Sequence, residues 1–138
     1  MVRTIALFTG LALLLCGCGS PDDGPKAEQA TNRFYALIAA KDYHTLYVET
    51  SPDFKANTAE ALMTGLLTRI DRRMGACQAP VKSGSWSVNY NTGGEFRSQG
   101  YTRACANGPL NETVGVVIRG GEAKVVSYNA DSPRLLTD

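Results

Sequence analysis

The sequence lacks the residue sets on which most metal sites and hydrolytic active sites depend. It has one histidine, His44, and contains no Cys-x-x-Cys spacing, no Gly-x-Ser-x-Gly motif and no glycine-rich phosphate loop. A zinc site, a serine hydrolase site and a nucleotide site each need at least one of these sets. We therefore predict no metal, no cofactor and no catalytic residues, and we interpret the chain as a non-enzyme.

A hydrophobic run long enough to cross a bilayer is also missing. The apolar stretch over residues 5–15 follows a single charge at Arg3 and is shorter than the roughly 20 residues that a transmembrane helix requires. Its length and position are typical of an export signal peptide. A true transmembrane anchor is the weaker alternative.

Two cysteines follow that stretch, and the residue before each one distinguishes them. Leu15 precedes Cys16 and is too large for a signal-cleavage site, whereas Gly17 precedes Cys18 and is small enough. Leu15-Cys16-Gly17-Cys18 resembles the lipobox of bacterial lipoproteins. The resemblance implies removal of residues 1–17 and lipidation of Cys18, with palmitate among its acyl chains, while a plain secretory signal cut nearby remains the alternative.

The lipobox resemblance also implies a location. A lipid-modified Cys18 anchors the protein to a membrane of the cell envelope, facing the periplasm, and Gly19 in the next position indicates the outer membrane if the cell is Gram-negative. Residues 18–25 form the lipidated cysteine and a short polar tether. The seven residues after Cys18 span at most about 25 Å, so the folded part is expected to stay close to the bilayer.

The chain has no excess of charge of either sign. Arg3 is the only charged residue of 1–17, so its loss changes 14 basic and 13 acidic residues into 13 of each. Nucleic-acid binding usually requires a clear positive excess, so we predict no nucleic-acid partner. The one dense basic group, Arg69, Arg72 and Arg73, is interpreted as a solvated helix face.

Cys77 and Cys105 are the cysteines that remain after export and lipidation. Because the compartment outside the cytoplasm is oxidising, we predict a structural disulfide between them. A metal pair and a redox couple are the weaker alternatives.

Three helices are predicted in the first half of the chain. Ala30, Phe34, Leu37 and Ile38 follow a helical period after Pro25, and Tyr43, Leu46 and Tyr47 follow one after an N-cap at Asp42. Pro52 is expected to break the pattern. The third helix is predicted to start at Asn57 and Glu60 and to end at Gly75. Its apolar stripe comprises Ala59, Leu62, Met63, Leu66, Leu67, Ile70 and Met74, and Gly65 within it indicates close packing against a neighbouring element.

The period changes to two after Cys77, which indicates strands. Trp86, Val88 and Tyr90 alternate with polar residues, and glycine-containing turns separate four such runs. Gly100 is interpreted as the mark of a β-bulge. The pattern predicts an α+β fold in which three N-terminal helices pack on a curved four-stranded antiparallel sheet, with Trp86, Tyr90, Phe34 and the third helix in the core. Residues 132–138 are interpreted as a loose tail.

The stretch from "RFYALIAAKDYHTLYVET" to "SPDFKANTAEALMTGLL", followed by a strand meander with a tryptophan, resembles exported proteins of the nuclear transport factor 2-like superfamily. The resemblance covers residues 26–131 and implies a cone-shaped pocket between helices and sheet. Some relatives use such a pocket for isomerase or cyclase chemistry, with an Asp or His base beside Tyr. Others are binding or assembly modules, so the fold leaves the function open.

The residues expected to line such a pocket are Tyr43, His44, Tyr47, Trp86 and Tyr101. Glu95, Glu112 and Glu122 are predicted to be exposed and Asp42 to act as a helix cap, which leaves His44 as the one candidate base. We therefore favour a membrane-tethered binding or assembly module for an envelope protein or component. Two alternatives are a small-molecule binder or weak lyase or isomerase, and an inhibitor or immunity lipoprotein.

Overall fold

The computed structural model describes residues 23–137. The predicted signal peptide, Cys18 and most of the tether lie outside these residues. The described chain contains five helices and one sheet, in the order α1 (Asp23–Ala39), α2 (Tyr43–Glu49), α3 (Pro52–Asn57), α4 (Glu60–Met74), β1 (Val81–Asn91), β2 (Gly94–Cys105), β3 (Gly108–Arg119), β4 (Glu122–Asp131) and α5 (Pro133–Leu136).

Helix α1 carries the predicted apolar face and begins earlier than expected. Phe34 and Leu37 are buried on that face, and the helix starts at Asp23, so the last three residues assigned to the tether belong to α1. Pro25 fits because the first turn of a helix leaves its backbone N–H groups without helical partners. Helix α2 follows with the predicted cap, in which the Asp42 carboxylate accepts a hydrogen bond from the Thr45 backbone N–H at 3.2 Å.

Helix α3 occupies the segment that Pro52 was expected to break. Pro52 stands at its first turn, and the Ser51 hydroxyl accepts a hydrogen bond from the Phe54 N–H at 3.1 Å. Proline is compatible with a helix start, because its fixed φ is already helical. The predicted cap of the next helix is wrong, since Asn57 is the last residue of α3 and Ala59 precedes α4 without a side-chain cap.

Helix α4 buries a narrower stripe than its sequence indicates. Leu62 is 67% exposed, and a Cβ added at Gly65 would have no neighbour within 4 Å, so the expected close packing at Gly65 is wrong. Gly75 ends the helix with a φ of +69°, as predicted. The side chain of Arg69 donates to the Leu135 carbonyl oxygen at 2.6 Å, although the residue is otherwise exposed. The buried members of the stripe are Met63, Leu67, Ile70 and Met74.

The four strands form an antiparallel meander in the order β1-β2-β3-β4, which confirms the predicted topology. The register between β1 and β2 shifts between Ser83 and Trp86, opposite Gly100. The irregularity therefore lies on β1 and not at Gly100 itself. A Cβ at Gly100 would lie 2.7 Å from the Ser83 carbonyl oxygen, so only glycine accommodates this close approach.

The predicted core is wrong at two aromatic residues of β1. Trp86 is 72% exposed and Tyr90 is 68% exposed, whereas Phe34 is buried as expected. Strand β1 lies at the edge of the sheet, and α1 packs on β3 and β4 at the other side. No helix therefore covers the Trp86 and Tyr90 side chains among the described residues.

The end of the chain is ordered as a short helix instead of the predicted loose tail. Ser132 caps α5 through its hydroxyl, which accepts from the Arg134 N–H, and Leu135 is buried. Burial of Leu135 against the rest of the molecule, together with the hydrogen bond from Arg69, supplies the tertiary contact that a four-residue helix needs.

Candidate functional site

Four hydrogen-bonded side chains, two of them charged, lie between the sheet and α1. We call them the Glu112 cluster (Glu112, Arg103, Tyr35 and Tyr128). The Arg103 guanidinium donates two hydrogen bonds of 2.7 Å to the two carboxylate oxygens of Glu112. Tyr128 donates to Oε1 at 2.5 Å, and Tyr35 donates to Oε2 at 3.4 Å. The side chain of Glu112 is fully buried, so the expectation that it is exposed is wrong.

The strand register explains why these residues meet. Glu112 pairs with Tyr101, two residues before Arg103 on β2, so both charged side chains lie on the same face of neighbouring strands. Tyr128 pairs with Val114, two residues after Glu112 on the same face. The signal in the sequence is the alternation around Glu112, because Leu110 and Val114 are apolar at the positions two residues away.

The two tyrosine hydroxyls and the guanidinium of the cluster keep their protons. Burial and the negative charge of Glu112 raise the pKa of Tyr35 and of Tyr128 far above the usual range, so both hydroxyls stay protonated donors. Burial by itself lowers the pKa of Arg103, but the hydrogen bonds and charge of Glu112 outweigh it, and the net shift is upward. Arg103 therefore stays positively charged at any physiological pH.

Arg103 also lines an open cleft of about 620 Å³, and we call this cavity the Arg103 cleft. The end of α1, the second half of α4 and the segment 75–80 form its walls, and Tyr35 lies beside Arg103. At the rim, Lys41 and Asp71 form an ion pair of 2.8 Å. Glu112 engages the Nε and Nη2 groups of Arg103 and leaves Nη1 outside this pair, and the Arg103 side chain, 9% exposed, is part of the cleft lining.

The five residues predicted to line one pocket lie at separate places. Tyr43 lines the Arg103 cleft, whereas Trp86 and Tyr101 line a groove of about 140 Å³ between α1 and β1. Tyr47 donates its hydroxyl to the Thr58 carbonyl oxygen at 2.9 Å, and the side chain of His44 is 76% exposed. Adjacent residues of a helix point about 100° apart, and here Tyr43 lines the cleft whereas His44 does not.

His44 forms an exposed pair with Glu60, and this pair predicts a pH dependence. The hydrogen bond and charge of Glu60 raise the pKa of His44, with Nδ1 and Oε1 2.7 Å apart. The pair therefore favours the folded state below the unfolded pKa of about 6.5, and this contribution is lost as the pH rises through the folded pKa. We expect Glu60→Gln to lower the pKa of His44, measured by NMR titration of the ring protons. An unchanged pKa in Glu60→Gln would contradict the pairing.

Cys77 and Cys105 are bonded, with an Sγ–Sγ distance of 1.99 Å, which supports the predicted disulfide. The bond joins the segment after α4 to the end of β2. Backbone hydrogen bonds flank it on both sides, from Gln78 N to Ala104 O and from Ala106 N to Ala76 O, both at 2.8 Å. Because Cys77 also lines the Arg103 cleft, the disulfide holds one wall of the cleft against the sheet.

Removal of this disulfide is expected to weaken the fold substantially. The bond closes a loop with a sequence separation of 28, and the chain-entropy estimate for such a loop is about 3–4 kcal/mol. We expect Cys77→Ala/Cys105→Ala to lower the free energy of unfolding by about that amount in urea titrations. Wild-type protein with its disulfide reduced is the matched control and should unfold at a similar urea concentration. Equal stability of the oxidised wild type and the double variant would refute the prediction.

The two other glutamates that were predicted to be exposed, Glu95 and Glu122, differ in their burial. Glu95 is buried and paired with Arg97, against the expectation that it is exposed, whereas Glu122 is exposed as predicted. Within residues 23–137, no three His, Cys, Asp or Glu side chains are close enough together to hold a metal ion. None of the helices in the described part of the chain has the length and apolarity needed to cross a membrane.

Comparison with known proteins supports the fold alone. No protein-family model matches the chain, and no curated protein sequence is significantly similar to it. Among solved structures, the protein is similar to Aln2 from a Streptomyces species, with a TM-score of 0.54 and 14% sequence identity, over 87% of this chain and 97% of that one. At this identity the likeness concerns architecture. The α+β layers, the antiparallel meander and this structural likeness together support a nuclear transport factor 2-like fold for the chain.

Proposed function

We propose that the protein is a lipid-anchored, non-enzymatic binding module of the cell envelope, and that its Arg103 cleft holds a carboxylate-bearing segment of an envelope protein. In this proposal residues 1–17 are removed, Cys18 carries the lipid, and the domain faces the periplasm, on the outer membrane in a Gram-negative cell. In this proposal the Arg103 cleft, and not the cone-shaped pocket that the sequence resemblance implies, is the binding site.

The observation that carries the proposal is the position of Arg103, which lines the cleft and whose Nη1 group is not used in its pair with Glu112. Arginine binds carboxylates through planar pairs of N–H donors, and Glu112 already holds the guanidinium at a fixed orientation. The ligand therefore meets a positioned donor, and little conformational entropy is lost on binding.

The same geometry favours binding over turnover. A general base needs a lone pair directed at the substrate, but hydrogen bonds from Arg103, Tyr35 and Tyr128 engage both oxygens of Glu112. The other carboxylate of the cleft, Asp71, is paired with Lys41. One observation does favour the small-molecule alternative, since 620 Å³ lies within the usual range for small-ligand pockets of about 300–1,000 Å³.

The test is to block the cleft and ask whether binding is lost. Gln78 and Ala79 both line the cleft and are accessible from it. We expect a photo-crosslinking amino acid at position 78 to capture one envelope protein in cells, and Ala79→Trp to abolish the adduct because the indole occupies the cleft. Ala61→Trp, at an exposed position of α4 outside the cleft, is the matched control and should leave the adduct unchanged.

The outcomes separate the alternatives. An adduct that persists in Ala79→Trp would show that the partner binds elsewhere and would refute the cleft as its site. A small molecule that copurifies with the wild type in native mass spectra and is lost in Ala79→Trp would favour the small-molecule binder. Absence of both the adduct and a bound molecule would overturn the proposed use of the cleft.

A further inference from the structure

Strand β1 presents three large apolar side chains on the sheet face that is turned toward α1. We call these residues the β1 patch (Trp86, Val88 and Tyr90). These side chains alternate on one face of the strand, opposite Gln99, Arg97 and Glu95 of β2. Trp86 is 72% exposed and Tyr90 is 68% exposed. Exposed large aromatic residues in a row are unusual for a surface that contacts water alone.

The chain enters the described structure beside this patch. Gly24, at the start of α1, lines the same groove as Trp86 and Val88, and a Cβ at Gly24 would lie 3.4 Å from Nη1 of Arg97, the residue that pairs with Val88. Cys18 is five residues before Asp23, and five extended residues span at most about 18 Å. A lipid on Cys18 therefore holds the start of α1, beside which Trp86 and Val88 lie, within about that distance of the bilayer surface.

The charges around the patch are paired with opposite charges. Lys82 contacts Glu28 at 3.4 Å, Lys26 contacts Asp23 at 3.8 Å, and Arg97 pairs with Glu95. These three pairs add no net charge to the described surface beside the patch. The patch offers amphipathic aromatic rings, which favour the interface between lipid headgroups and acyl chains.

We propose that the β1 patch docks on the membrane to which Cys18 is anchored, with the Trp86 and Tyr90 rings in the headgroup region. This inference rests on the lipid anchor of the proposed function. Docking orients the domain, because the anchor by itself is one attachment point and leaves the domain free to rotate. The patch is the second attachment point, and it places a defined face of the domain toward the bilayer.

Trp86 is the single tryptophan of the chain, so its fluorescence reports on the patch directly. The experiment uses the full-length protein purified from membranes and reconstituted into phosphatidylcholine vesicles with lipids brominated near the headgroup end of their acyl chains. We expect a shift of Trp86 emission to shorter wavelength than in the water-exposed state, and strong quenching by the brominated lipids. Tyr90→Ser should reduce the quenching while the anchor keeps the protein on the vesicles.

The matched control moves the probe to another exposed position. Leu62→Trp in a Trp86→Phe background places a tryptophan on α4, where Leu62 is 67% exposed. That probe should remain unquenched if the domain is oriented, whereas equal quenching of both probes would indicate random tumbling and overturn the proposal. A blue-shifted but unquenched Trp86 would indicate a protein partner or a second copy on the patch and would also overturn it.

Intact mass of the same preparation distinguishes the failure of docking from the failure of anchoring. A lipidated Cys18 with an unquenched Trp86 overturns docking alone. An unmodified Cys18 overturns the anchor, and the docking proposal falls with it. The proposed use of the Arg103 cleft is tested separately by Ala79→Trp, which lies outside the β1 patch.

Discussion

Replacing Cys18 by serine is expected to abolish lipid attachment completely. Serine has no thiol to form the thioether that the lipobox resemblance implies, whereas Cys16 lies in the segment expected to be removed. Cells fed labelled palmitate should therefore label the wild type and Cys16→Ser equally and leave Cys18→Ser unlabelled. Intact mass of the purified proteins should show acyl chains on residue 18 in the first two.

Loss of the lipid should also change where the protein is found. When a plain secretory signal replaces residues 1–17 and Cys18 is serine, we expect the chain to be recovered in the soluble periplasmic fraction. Burial of acyl chains contributes about 0.8 kcal/mol per CH₂ group, so two or more chains hold a protein firmly and their absence releases it. Labelling of Cys18→Ser, or membrane retention of this secreted form, would contradict the anchor.

Replacing Arg103 by methionine in the Glu112 cluster is expected to cause a large loss of stability. The carboxylate of Glu112 is fully buried, and Arg103 supplies its only positive partner within the described chain. Removing one member of a buried ion pair leaves the other charge uncompensated, which typically costs about 3–5 kcal/mol. Urea unfolding of the secreted, unlipidated form measures this loss as a lower transition midpoint.

Two further variants separate the effect of the charge from the effect of packing. Arg103→Met/Glu112→Leu removes both charges, and we expect it to recover part of the loss, since apolar replacement of a whole buried pair is often nearly neutral. Recovery should be incomplete because Tyr35 and Tyr128 lose their acceptor. Arg33→Met, which breaks the exposed pair with Glu49, should leave the midpoint almost unchanged. A double variant less stable than Arg103→Met would contradict the assignment.

Much of the secondary structure could be predicted from the sequence, because hydrophobic period, capping residues and turn residues are properties of short segments. Three of the helices follow from the 3.6-residue period, the Asp42 cap from its position before α2, and the four strands from the period of two with glycine-containing turns. Helix α3 is absent from the prediction, because a proline within a helical pattern usually breaks the helix. Ser51 before Pro52 is the local signal, since a capping serine followed by proline is typical of a helix start.

The Glu112 cluster could not be predicted from the sequence in the same way. Glu112 was expected to be exposed because asparagine precedes it, although its alternation with Leu110 and Val114 places it on the buried face. Its partners lie on three other elements, and Tyr35 is 77 residues away along the chain. The pairing of β2 and β4 with β3 brings Arg103 and Tyr128 to the carboxylate, and the packing of α1 on the sheet adds Tyr35. No local pattern therefore contains the cluster.

The sequence by itself determined the order and type of most elements, because period and turn residues are local properties of the chain. It also predicted the pairing of Cys77 with Cys105, whereas the lipid anchor stays a prediction from the residues around Cys18. The tertiary structure alone decided which faces are covered. Trp86 and Tyr90 alternate like core residues, yet they are exposed because β1 is the edge strand and α1 packs on β3 and β4. Glu112 is buried because α1 packs on its strand, β3, and its carboxylate pairs with Arg103 on the neighbouring strand β2.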